Sequence, residues 1–157
     1  MPESSGSFVD TSVVSLDQES DGVRFYTVET CHEDHVPCSL SDANAVYLIE
    51  GNRLRIAHLG DPGHVLTETQ AAAIATVDVL LIPVGGGPRI DALRANRVIE
   101  QLQPLVILAM HYETPELDWN IDTFLVDETV IEVAERSLVI NAAPLPEELT
   151  VFVLSYQ

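Results

Sequence analysis

Apolar and polar residues change their spacing twice along the chain. Residues 22–29 carry Val23, Phe25, Tyr26 and Val28 and predict a strand. A polar loop follows over 31–42. Residues 45–50, with Val46, Tyr47, Leu48 and Ile49 at their centre, predict a second strand. Gly51 and Asn52 form a two-residue turn that tolerates positive φ, and 53–59 return as the other arm of a hairpin. Beyond that point the period becomes helical. Thr67, Glu68, Thr69 and Gln70 fit a capping box, opening a helix through Thr76. Residues 77–84 are apolar except for Asp78, as in a strand buried on both faces. A second helix spans 91–103, with Leu93, Val98 and Leu102 among its apolar positions, and 105–110 form another buried strand. Strand, helix, strand, helix, strand implies crossover units and a parallel segment within an α/β fold. The remainder predicts a short helix near 121–125 and strands at 130–133, 138–140 and 150–155.

Residues 1–21 differ from all of this. They are rich in Ser, Glu and Asp, and only Phe8, Val9, Val13, Val14 and Leu16 offer much apolar surface. They read as a flexible acidic tail, with a short strand over 11–16 as the second choice. Residues 22–157 form the domain. At 157 residues and 46% hydrophobic composition, the chain is long and apolar enough for one buried core.

Charge narrows the partners. The formal net charge is −18, and all seven basic residues are arginines. Such a surface repels phosphate backbones, so neither nucleic acid nor an anionic membrane is expected as a partner. It also repels itself, a strain that salt screens. No apolar run reaches membrane-span length, and the N-terminus lacks the pattern of a signal peptide. Two cysteines, Cys31 and Cys38, are too few for a disulfide framework. These features predict a soluble cytoplasmic protein.

All five histidines sit in or beside three loops after apolar strands, where α/β sheets place ligands. The first loop holds Cys31, His32, Glu33, Asp34 and His35. The second runs from His58 through Asp61 to His64. The third holds His111, Tyr112 and Glu113. Imidazole with carboxylate suits zinc or iron. A local zinc knot of Cys31, His32, His35 and Cys38 has the right residue types, but its spacing matches no standard finger. His58 alternates with Leu54 and Ile56 and reads as a hydrogen-bonded core histidine. His64 reads equally as a lining of a substrate cleft or as a solvated loop residue. Gly85, Gly86 and Gly87 precede no Lys-Ser/Thr and read as a plain loop rather than a phosphate cradle. Tyr112 and Trp119 suit a pocket wall or simple packing.

Several ordered segments resemble the metallo-β-lactamase superfamily, in its small branch related to ascorbate-6-phosphate lactonase. They are 44–50 (NAVYLIE), 54–61 (LRIAHLGD), 63–67 (GHVLT), 77–86 (VDVLLIPVGG) and 110–112 (MHY). The resemblance covers about 22–157. It implies a four-layer αββα sandwich with mixed sheets, of which this chain holds the later part. It also implies two metal ions whose coordinated water becomes a nucleophile at neutral pH. Carried over residue by residue, the middle histidine is His32, the bridging aspartate Asp61 and the late histidine His111. Asp61 doubles as the residue orienting the nucleophilic water, and His58, His64 and Tyr112 stand behind these ligands. The family's early His-x-His-x-Asp-His motif has no counterpart before Gly22. With one histidine and a shared aspartate per metal, the ligand set is short of the three that a catalytic zinc normally has.

Two functions follow. One is a degenerate, non-catalytic binding or structural subunit. The alternative is a metal-dependent hydrolase of an ester, lactone or phosphoester whose ligands are completed by another chain. The cofactor would be zinc, manganese or iron, or absent in the first case. A missing half-domain would leave one sheet face bare, which predicts a homodimer or a partner subunit.

Overall fold

The computed structural model describes residues 15–34, 36–86, 90–112, 124, 129–141 and 144–155. The described residues form one eight-stranded mixed sheet in the order β1-β2-β3-β4-β5-β6-β8-β7. Strands β1 (Asp17–Ser20), β2 (Val23–Cys31), β3 (Ala43–Gly51) and β4 (Leu54–His58) pair antiparallel in sequence. Strands β5 (Val79–Pro83), β6 (Val106–Met110), β8 (Thr150–Leu154) and β7 (Thr129–Val133) continue the sheet with parallel pairings. Helices α1 (Glu68–Ile74) and α2 (Ala92–Leu102) make the β4-β5 and β5-β6 crossovers. The α/β class and the mixed sheet expected from the sequence are therefore present. What the described residues show of a four-layer sandwich is one sheet and one helical layer.

Strand alternation assigns the two sheet faces. On one face Leu48, Ala57, Leu80, Ile107 and Val151 align across neighbouring strands. With Val46, Leu59 and Ile82 they pack against Ile74 of α1, against Ala95, Val98, Ile99 and Leu102 of α2, and against Phe124. Both helices start where the sequence puts their caps. The Thr67 side chain accepts from the Gln70 amide and the Gln70 side chain accepts from Thr67 N–H, closing the capping box. Asp91 accepts from Arg94 N–H at the start of α2. At the end of α1, the Arg55 guanidinium donates to Ile74 O at 2.6 Å while it pairs with Glu50 and bonds the Tyr26 hydroxyl.

Four local expectations need correction. Asp17–Ser20, placed in the tail by composition, is the edge strand β1. Its four residues are all exposed, so no apolar alternation marks it, and charge on an edge strand discourages pairing with other chains. The turn into β2 uses Asp21 and Gly22, both at positive φ. Of the second choice, a strand over 11–16, residues 11–14 lie outside the described residues, and Ser15 and Leu16 are not strand. The hairpin turn at β3-β4 lies one residue later than expected: Asn52 and Arg53 have positive φ, while Gly51 pairs with Leu54. Gly51 has its own reason, since a Cβ there would meet Val23 Cγ2 at 2.9 Å. Finally, residues 138–140 are not a strand; Leu138 and Ile140 instead line a cleft with Val106 and Phe152. The helix expected over 121–125 lies outside the described residues except for Phe124, which is in a turn.

Candidate metal site

The carboxyl ends of β2, β4, β5 and β6 all lie at one edge of the sheet, because β2 and β4 flank the antiparallel β3 and β4-β5-β6 are parallel. The loops after β2, β4 and β6 therefore meet there. They bring His32, Asp61 and His111 together from positions 29 and 50 residues apart in sequence. His32 Nε2 lies 3.0 Å from Asp61 Oδ2, and His111 Nδ1 lies 3.2 Å from Asp61 Oδ1. The two imidazoles thus address different oxygens of one carboxylate. All three side chains are partly exposed, at 40%, 22% and 39% for His32, Asp61 and His111.

The loop carrying Asp61 is held by a specific scaffold. Asn44 Oδ1 accepts from Asp61 N–H at 2.9 Å, while its amide donates to Thr30 Oγ1 and Leu59 O. Gly60 has φ +65°, and a Cβ there would lie 2.4 Å from Asn44 Oδ1. Gly63 is packed harder still: its Cβ would meet His32 O at 2.1 Å, and its N–H donates to Cys31 O. The His32 and Asp61 loops are thereby laced together at their backbones. Helix α2 ties in from outside, with Arg94 donating to Gly63 O and to the Asp34 carboxylate at 2.5 Å. His111 sits in the left-handed region at φ +51°, a conformation that costs a non-glycine residue about 1 kcal/mol. Such strain at a strand end fits a residue whose side-chain direction matters.

The remaining residues singled out in sequence fall elsewhere. His64 is not in a cleft: it is 5% exposed, with Nε2 accepting from Cys31 N–H and Nδ1 bonded to Val65 O. The Cys31 N–H fixes the acceptor, so neutral His64 carries its proton on Nδ1, and the ring is a strut between loops. His58 is hydrogen-bonded as expected, accepting from Gly60 N–H at Nδ1, but it stands on the face away from the helices, half-buried. Burial holds its pKa below the ordinary histidine value, against a smaller opposing effect of a backbone hydrogen bond. The Tyr112 hydroxyl donates to Leu154 O and its ring packs against the core, so it anchors the third loop. Of the four residues of the zinc knot, Cys31 and Cys38 are joined in a disulfide and His32 is engaged by Asp61, while His35 lies outside the described residues, as do Glu113 and Trp119. Asn44 was not singled out as a site residue by sequence. Its signal was present only as part of the 44–50 segment.

The donor chemistry fits divalent metal. Two imidazoles and a carboxylate are standard zinc and iron donors. Because the histidines face separate oxygens, the set offers one imidazole and one carboxylate oxygen to each of two ions.

Comparison with known proteins identifies the family. A family model described as "Beta-lactamase superfamily domain" matches residues 9–111. A UPF0173-family protein of Pyrococcus furiosus is 40% identical over 68 residues, covering 43% of this chain and 31% of that protein. A UPF0173 metal-dependent hydrolase of Hyperthermus butylicus is 32% identical over 92 residues, covering 54% and 40%. The chain thus spans well under half of these curated relatives. A crystal structure from Thermotoga maritima, named as a proposed zinc-dependent hydrolase of the metallo-β-lactamase superfamily, superposes with a TM-score of 0.75 at 34% identity, covering 88% of this chain and 68% of that one. With the matched region containing both strands and loops that build the His32, Asp61 and His111 constellation, the chain belongs to the metallo-β-lactamase superfamily.

Proposed function

We propose that the protein is a metal-dependent hydrolase of an ester, lactone or phosphoester, with His32, Asp61 and His111 as metal ligands. The observation that carries this is the single carboxylate of Asp61 held between two imidazoles, at 3.0 and 3.2 Å, on a loop braced by Asn44 and by close backbone approach at Gly60 and Gly63. A bound divalent cation would supply Lewis acidity and lower the pKa of a coordinated water. Asn44 and the close backbone approach at Gly60 and Gly63 hold Asp61 in place, and His111 is aimed by its left-handed backbone. The names of the relatives favour hydrolysis over the non-catalytic subunit that the short ligand set first suggests.

Among the described residues each ion would have two protein ligands, too few for a catalytic zinc. The open, apolar face of the sheet carries His58 beside the site and exposes Phe25 and Tyr47, so a covering segment there would lie within reach of the missing positions. We assign that segment to a second copy of the chain or to another subunit.

Metal analysis of the purified protein after dialysis against zinc, manganese or iron tests the reading. Near-stoichiometric metal, lost in Asp61→Asn and His111→Ala, with metal-dependent hydrolysis of nitrophenyl esters, a simple lactone or nitrophenyl phosphate, is expected. A folded protein that retains no metal and hydrolyses none of these overturns it in favour of the non-catalytic subunit.

A further inference from the structure

A second donor cluster lies behind the His32 loop. Cys31 Sγ, Cys38 Sγ and a carboxylate oxygen of Asp42 all fall within 4.8 Å of one another. The cluster is built into the fold. Cys31 ends β2 and is 1% exposed; its N–H is taken by His64 and its carbonyl by Gly63. Asp42, 7% exposed, closes the 3₁₀ turn Leu40–Asp42; its Oδ1 accepts from Glu33 N–H at 2.8 Å and its backbone O from His32 N–H at 2.8 Å. Cys38 is half-buried, its sulfur 3.2 Å from Thr30 O. A cleft of about 240 Å³ lined by Glu29, Cys31, Val36, Pro37, Cys38 and Gln70 leads to the two sulfurs. The sulfurs are joined in the disulfide Cys31–Cys38, the oxidised state of this cluster.

We propose that the reduced form of this cluster is a soft-metal site, binding zinc or a similar thiophilic divalent ion through Cys31, Cys38 and Asp42. Two thiolates and a carboxylate are ordinary zinc donors, leaving a fourth position for water from the cleft. The exchange balances. A dithiol reductant gives two electrons and two protons to the disulfide, closing its own S–S bond and leaving two cysteine thiols. Zinc then replaces the two thiol protons, which pass to solvent. An oxidised dithiol reverses the process: it takes two electrons, Cys31 and Cys38 rejoin, and zinc leaves. His32 follows Cys31 directly, so the disulfide and the metal are two alternative clasps on the loop that delivers His32. This site is separate from the His32, Asp61 and His111 constellation and does not depend on its being catalytic.

Cobalt(II) titration of the full chain tests it, before and after reduction with a phosphine and removal of the reductant. The near-ultraviolet sulfur-to-cobalt charge-transfer band is expected only in reduced protein. It is expected to persist in Asp61→Asn, to vanish in Cys38→Ser, and to need about tenfold more cobalt or above in Asp42→Asn. Should Cys38→Ser fail to fold, wild-type protein gives the same answer: one equivalent of zinc is expected to block iodoacetamide alkylation of both reduced cysteines. A reduced, folded protein with no thiolate band, or with both cysteines alkylated equally fast with and without zinc, overturns the proposal. A band lost in Asp61→Asn overturns the separateness of the two sites, whereas loss of hydrolysis alone leaves the band in place.

Discussion

The two faces of the one sheet are built from the same strands and treated differently. On the helical face, Leu80 and Ile82 of β5 and Ile107 of β6 are fully buried under α1 and α2. On the other, the row Tyr47, His58, Leu81, Leu108 and Phe152 runs equally straight across β3, β4, β5, β6 and β8. Its β6-β8 end meets residues 138–141 and 144–146, but its β2-β3 end leaves Phe25 at 40% and Tyr47 at 45% exposure. Apolar patterning therefore marks both faces as interior, while only one is closed by the described residues. The first face accounts for folding; the second is the ground for the proposed partner, and the proposed metal ligands sit at the edge the two faces share.

Substitutions can break that contrast. The largest effect is expected from Leu80→Ala on the closed face: a cavity among helix and strand side chains costs about 2–5 kcal/mol, read as a lower urea midpoint with unchanged slope. Asn44→Ala, at the shared edge, leaves the Asp61 amide and the Leu59 carbonyl without their partner and is expected to cost about 1–3 kcal/mol. It should also weaken metal retention while leaving the circular dichroism spectrum native-like. Thr67→Ala removes the cap of α1, part of the helical cover, for about 1 kcal/mol. Tyr47→Ser on the open face is expected to change protomer stability by about 0.5 kcal/mol or less, yet to reduce self-association in light scattering. A large stability loss in dilute monomer would show that this face is already covered.

The smallest effect is pH-dependent. Burial depresses the folded pKa of His58, so the unfolded chain binds the proton more readily. Stability is then full above the ordinary histidine range and is lost as pH falls through it toward the depressed folded value. Melting curves across pH 7.5 to 5 should show this fall for the wild-type chain and a shallower one for His58→Gln; equal slopes would contradict it.

The sequence was most legible where structure is local. The capping box at Thr67 to Gln70 is written in four consecutive residues, and the buried parallel strands β5 and β6 announce themselves as unbroken apolar runs. It was least legible at the margins. The strand β1 has only polar residues and exists because the Asp21-Gly22 turn lays it along β2, and residues 138–140 look like a strand yet serve as cover for Val106. The histidines show the same division. His32, Asp61 and His111 carry the family's pattern, whereas His64 differs from them only in what surrounds it.

Residue order by itself determined the α/β class, the strand periods, the helix starts and which side chains have ligand chemistry, since each depends on neighbours within a few positions. Tertiary structure alone decided which of these side chains meet. A histidine becomes a strut or a candidate ligand according to whether a backbone amide 33 residues away or a carboxylate 29 residues away lies beside its ring. The Cys31–Cys38 pairing and the closure of one sheet face but not the other are decided in the same way, because distance in space, unlike spacing in sequence, is set only once the whole sheet is assembled.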